Sequence, residues 1–222
     1  MSTLIHGEPA VRSSRVATGA SLARLFQLHL TSRRVPTAAV ALLLCAPLLQ
    51  WAVRSALGQT GIAGARVSAE QLSLLLEAVT AAVVSAALHG PFGESEKIAG
   101  RRLPWLRLTT ALLLTALALG AVSLGVLGTG QPLGTYVVVR DTAGLIGIGV
   151  ACTTLVGGHF AWTGPAAYWV VGAYALTDDW QTPWTWPARP GDDVGAAVCA
   201  WGFLAVSLLA ITIFGPGQRT HD

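Results

Sequence analysis

Charge is scarce in this chain: of 222 residues only 14 are basic and 11 acidic, roughly half the charged fraction of an average soluble domain. Lysine is nearly absent, with Lys97 alone against thirteen arginines. A soluble fold needs a charged surface, and with 53% hydrophobic residues a chain of this length could not hide its apolar surface from water. Cysteine is limited to Cys45, Cys152 and Cys199, an odd number, each within an apolar run and without metal-type spacing. They read as small packing residues rather than disulfides or metal ligands. The catalytic signatures are missing as well. No G-x-x-x-x-G-K-[ST] occurs, and the sole lysine follows Glu96, so the chain cannot cradle nucleotide phosphates as a P-loop does. H-E-x-x-H, C-x-x-C and G-x-S-x-G are absent. Five histidines are scattered through tails and loop ends, which gives no pair for haem or metal within a membrane. The expectation is a non-enzyme with no catalytic residues, no metal and no cofactor.

What the chain has is apolar runs near the ~20 residues that a bilayer-spanning helix needs. The expected fold is an all-α polytopic integral membrane protein. Its transmembrane domain, 35–215, holds six helices at about 35–53, 71–88, 108–127, 142–156, 162–176 and 195–214, the short fourth and fifth being alternatively one long broken helix or a re-entrant pair. Residues 1–34 carry Arg12, Arg15, Arg24, Arg33 and Arg34 against Glu8. Within them Leu22, Leu25 and Phe26 share one helical side with Arg24 and Gln27 opposite, the pattern of a short interfacial helix. Residues 216–222 form a tail. Small residues recur every four positions at Ala78, Ala82 and Ala86, and again at Ala143, Gly147 and Ala151, which suits close helix packing.

Orientation follows from counting arginine and lysine in the loops. With six spans and the N-terminus in the cytoplasm, ten basic residues fall inside and four outside. The basic balance is therefore a topology signal rather than a nucleic-acid footprint. The arginine, alanine, glycine and leucine bias fits a high-GC bacterial genome, and the expected location is the bacterial cytoplasmic membrane with both termini inside.

Few charges fall within the runs. Glu77 lies in the second, where an acid at the membrane centre costs roughly 2.5 to 3.5 kcal/mol and less nearer the interface. It reads either as a carboxylate reaching the outer headgroups or paired with an arginine, or as a proton or substrate site. Arg140 is its nearest candidate partner, and Asp141 beside it suits the N-terminus of the fourth helix. Between the last two spans, 177–194 gathers Trp180, Trp184 and Trp186 among prolines and aspartates. This reads as an external aromatic lid at the headgroup layer, with a ligand cage as the alternative.

The segment His89 to Arg107 is the only strongly basic stretch inside the hydrophobic body. Glu94 and Glu96 lie at its front, Ile98 and Ala99 in the middle and Arg101 and Arg102 at the back, an order that suits a short helix with its macrodipole complemented. Such a helix, projecting into the cytosol, fits a partner's groove.

Taken in order, the basic N-terminus with its interfacial helix, six spans, the Glu-containing loop ending Ala99-Gly100-Arg101-Arg102-Leu103-Pro104 and the aromatic loop before the last span resemble the type 2 class of ATP-binding-cassette exporter permeases. The resemblance covers most of the chain and rests on the order of features. It implies an N-terminal elbow helix, short re-entrant or external helices before the last span, and a coupling helix in the loop after span two. That role would fall to Glu94, Glu96, Lys97 and Ile98, with Arg101 and Arg102 closing the loop. The implied partners are a separate cytoplasmic ATPase and a second membrane subunit, identical or homologous. The implied activity is outward movement of a hydrophobic or amphipathic substrate. The spans are short and the external loop small for that family, so a non-transporting immunity, anchoring or assembly factor stands beside it.

Overall fold

The computed structural model describes residues 35–58, 64–88, 103–127, 134–178, 180 and 182–214, and every regular element among them is helical. In chain order these are α1 (Val35–Gly58), α2 (Gly64–Leu88), α3 (Leu103–Val126), α4 (Gly134–Leu155), α5 (Thr163–Asp178) and α6 (Val194–Phe214). Single 3-10 turns stand at Gly158–Phe160 and Trp186–Ala188. The expected elbow within 1–34, the coupling segment with Glu94, Glu96, Lys97, Ile98, Arg101 and Arg102, and the tail lie outside the described residues.

Five helices are long and apolar enough to cross a bilayer, through Pro36–Ser55, Ala69–Leu88, Pro104–Val126, Gly134–Leu155 and Val194–Phe214. The sixth, α5, has 16 residues and extends about 24 Å, short of the ~30 Å hydrocarbon core. The chain is thus an all-α polytopic membrane protein, with five full-length helices and one short one among the described residues.

The largest departures from the sequence expectation are at two helix starts. Helix α2 begins at Gly64 rather than near Gln71, and α4 at Gly134 rather than Thr142. Arg66, Glu70, Arg140 and Asp141 interrupt the apolar pattern, but neither stretch contains a Gly or Pro after its first residue to stop a helix. Arg140 and Asp141 consequently sit nearly two turns inside α4 instead of at its mouth. At that depth Asp141 is beyond the first turn over which the macrodipole acts.

The bundle satisfies most of its buried hydroxyls within single helices. Thr80 donates to the Leu76 carbonyl, Ser85 to Ala81, Thr110 to Leu106, Thr142 to Val138 and Thr153 to Gly149, all between 2.7 and 2.8 Å. Each polar side chain thereby spends its donor four residues back and leaves its helix face free to pack.

Helix α4 is central: 72% of its span is buried, against 33% for α1 and for α6. Its Gly147 meets the backbone of α6, where an added Cβ would come within 2.9 Å of Leu204 Cα. Gly125 of α3 approaches α1 equally closely, with the Ala46 carbonyl oxygen 2.8 Å from such a Cβ. Missing side chains let these helix pairs touch backbone to backbone. Along α2 the buried face runs through Ser73, Leu74, Glu77, Ala78, Ala81, Val84 and Ser85. The stripe drifts from the Ala78, Ala82, Ala86 line, and Ala86 is exposed.

Gly157, at φ 96°, turns the chain after α4, and α5 runs back along its neighbour. Gly164 at the start of α5 lies against Ile148 and Cys152. Helix α2 lies beside α5 in the opposite sense: Ser85 and Pro165 both approach Gly149 at one end, and the Gln71 amide donates to the Ala173 carbonyl at the other, 3.4 Å away. The outward faces of α1 and α6 display Val40, Leu43, Leu44, Leu48, Val198, Val206, Leu209 and Ile213, all more than half exposed. Such faces suit hydrocarbon as their solvent.

Candidate functional site

Beneath the connection between α5 and α6 lies a group of buried charges. Arg140 is wholly buried, and all three of its guanidinium nitrogens are engaged. Nε donates to Asp141 Oδ1 at 2.9 Å, Nη1 to the Pro190 carbonyl at 2.9 Å, and Nη2 to the carbonyls of Trp186 and Arg189. The planar, always-charged fork is suited to such a task, because it meets several fixed oxygens at once.

Arg140 thus binds a loop 46 to 50 residues further along the chain. Trp186 follows the backbone inward. Its indole rests on Gly144, stacks on Tyr168 with ring centroids 4.6 Å apart and 22° between planes, and reaches Ala196 and Ala200 of α6. Only 4% of Trp186 is exposed. Thr185, also buried, donates its hydroxyl to the Thr182 carbonyl at 2.8 Å, and the Tyr168 hydroxyl donates to the Trp184 carbonyl at 2.7 Å. At its far end Asp193 caps α6, accepting the Ala196 N–H at 3.0 Å and pairing with Arg189. The Ala196 N–H foremost, with Arg189 adding to it, holds the Asp193 carboxyl below the usual carboxylate range.

The three tryptophans of the expected external lid therefore divide. Trp180 and Trp184 are exposed and meet edge to face at 6.3 Å, while Trp186 is a plug between α4, α5 and α6.

Glu77 belongs to the same region but does not form an ion pair with Arg140, whose charge is taken by Asp141. Nor does it reach out to headgroups, being 3% exposed. Its Oε1 accepts the Ser73 hydroxyl at 2.9 Å, and its Oε2 has no hydrogen-bond partner. Asp141 and Arg140 both act on it electrostatically. The site unites Glu77 of α2 with Arg140 and Asp141 of α4, beneath a loop that also engages Tyr168 of α5.

Sequence reasoning passed over Ser73, Gly144 and Tyr168. Ser73 stands four residues before Glu77 and Gly144 four after Arg140, spacings that place each on the same helix face as its charged neighbour. Tyr168 carries no comparable signal. Among the described residues no three His, Cys, Asp or Glu side chains converge as a metal site would need. Cys45, Cys152 and Cys199 are free thiols, buried or half-buried.

Fold and site define an all-α membrane protein with ionisable groups sealed inside its helical bundle. No known family model, curated protein or solved structure matches the chain.

Proposed function

We propose that this chain is the membrane-spanning permease subunit of an ATP-binding-cassette exporter in the bacterial cytoplasmic membrane. It moves a hydrophobic or amphipathic substrate outward with energy from a separate ATPase. The observation that carries the reading is the connection between α5 and α6, which folds back into the bundle and seats Trp186 on Gly144. A passive anchor needs no connecting segment tucked among its helices, whereas irregular backbone is tolerated in a membrane protein where it is enclosed by protein. Buried charge points the same way, since ionisable residues within spans are costly and mark pathways more often than plain anchors. The segment with Glu94, Glu96, Lys97 and Ile98 is the proposed dock for the ATPase. A second membrane subunit, identical or homologous, completes the transporter.

One observation favours a non-transporting anchoring, immunity or assembly factor instead: the guanidinium nitrogens of Arg140 are all spent on Asp141 and on the carbonyls of Trp186, Arg189 and Pro190, as in a purely structural staple. Isolation of the tagged protein from its native membranes, with companions identified by mass spectrometry, separates the two. Recovery of an ATP-binding-cassette ATPase supports the permease, and its consistent absence supports the anchor.

A further inference from the structure

We propose that Glu77 is a proton-binding site, a carboxyl that takes up and releases a proton inside the helical bundle next to the Arg140–Asp141 pair. Arg140 and Asp141 neutralise one another through a 2.9 Å ion pair with side chains 0% and 6% exposed. Glu77 is a second acid beside them, and among the described residues no second base is paired with it, so full ionisation would leave a net negative charge in the bundle interior. An isolated buried carboxylate is strongly disfavoured, and gaining a proton is the ordinary relief.

Hydrogen bonding makes the same point. A stable carboxylate gathers several donors, yet Glu77 has one, the Ser73 hydroxyl on Oε1, and its Oε2 has none. Among the described residues the surroundings offer no replacement. Helix α4 contributes only the mutually paired Arg140 and Asp141, and α5 contributes Tyr168, whose hydroxyl is committed to the Trp184 carbonyl. On α1 Arg54 is exposed, and on α3 Arg107 is half-buried. At 3% exposure the carboxyl is closed off from the surface, and the proton is the smallest cation that can serve it there.

Release of that proton sets a second anion against Arg140, whose remaining bonds hold the Trp186 loop. Protonation of Glu77 and seating of the loop are therefore linked. The linkage does not depend on the ATPase reading: a permease or an anchor would carry it alike.

The test is infrared difference spectroscopy of the full-length protein in lipid nanodiscs across a pH series. A neutral carboxyl has a C=O stretch that a carboxylate lacks, and carbon-13 labelling of glutamate separates the five glutamates from the six aspartates. The expected result is a glutamate C=O band at neutral pH that declines as pH rises. The band should be missing in Glu77→Gln, retained in Glu70→Gln, and unchanged when sodium is replaced by choline. In Asp141→Asn, where Arg140 is left without its acid, Glu77 should ionise and the band should vanish at neutral pH. A labelled wild-type spectrum without a neutral glutamate band overturns the proposal without recourse to any variant. So does a band that survives Glu77→Gln, and a band that sodium abolishes would reassign the site to a metal cation.

Discussion

The indole of Trp186 lies so close upon the backbone of Gly144 that a methyl group on residue 144 would stand 2.5 Å from its Cζ2. Only a residue without a side chain admits the loop at this depth. Gly144→Ala should therefore unseat Trp186, with a loss of about 1–3 kcal/mol typical of overpacking. A red shift of tryptophan emission together with a lowered unfolding midpoint in detergent would report it. Unchanged emission and stability would mean that the loop is not seated on Gly144.

Arg140 carries the greater load. Removing it leaves Asp141 buried without its partner and takes the guanidinium away from the carbonyls of Trp186, Arg189 and Pro190, and breaking a buried pair costs about 3–5 kcal/mol. Arg140→Ala should be severely destabilised, and adding Asp141→Asn should recover part of the loss because the stranded charge is then gone. A double-mutant cycle on thermal unfolding gives the coupling. Strict additivity would remove the pair from the account.

Two helix glycines should behave oppositely. Gly147→Ala drives a Cβ to 2.9 Å from the Leu204 backbone, and α4 and α6 must separate at a cost of about 1–3 kcal/mol. Gly202 has nothing within 4 Å of the same atom, so Gly202→Ala should be neutral or gain up to about 1 kcal/mol through helix propensity. Parallel melting curves of the two variants decide this. Equal destabilisation would contradict the α4–α6 contact.

The cap of α6 is acid-sensitive. The folded Asp193 carboxyl is held below its ordinary range by the Ala196 N–H and by Arg189. Its contribution is fully present above the unfolded carboxylate value of about 3.9 and disappears as pH falls through the lower folded value. Emission from the neighbouring Trp184 and Trp186 should accordingly change on that acid side. Asp193→Asn, which still caps but does not titrate, should lose this step, and a step that persists in the variant would assign it to another group.

The spans were legible because apolar composition over some twenty residues is a one-dimensional property, and α1, α3 and α6 needed nothing more. Their charged margins were not. Arg66 and Glu70 read as loop residues, yet α2 continues through them, and Arg140 read as a helix mouth because its relief comes from carbonyls at 186, 189 and 190. A partner so distant in sequence leaves no periodic trace. Trp180, Trp184 and Trp186 likewise look equivalent among their prolines. What distinguishes Trp186 is the glycine shelf on α4 and the Tyr168 ring on α5, both assembled by folding.

The most direct test of the permease reading is retention of the ATPase by the loop after α2. The protein with Glu96→Ala and Ile98→Ala together, expressed beside its native neighbours, should keep its bundle by thermal unfolding and lose the co-purifying ATPase. An ATPase that remains bound in wild-type amounts would contradict the coupling role.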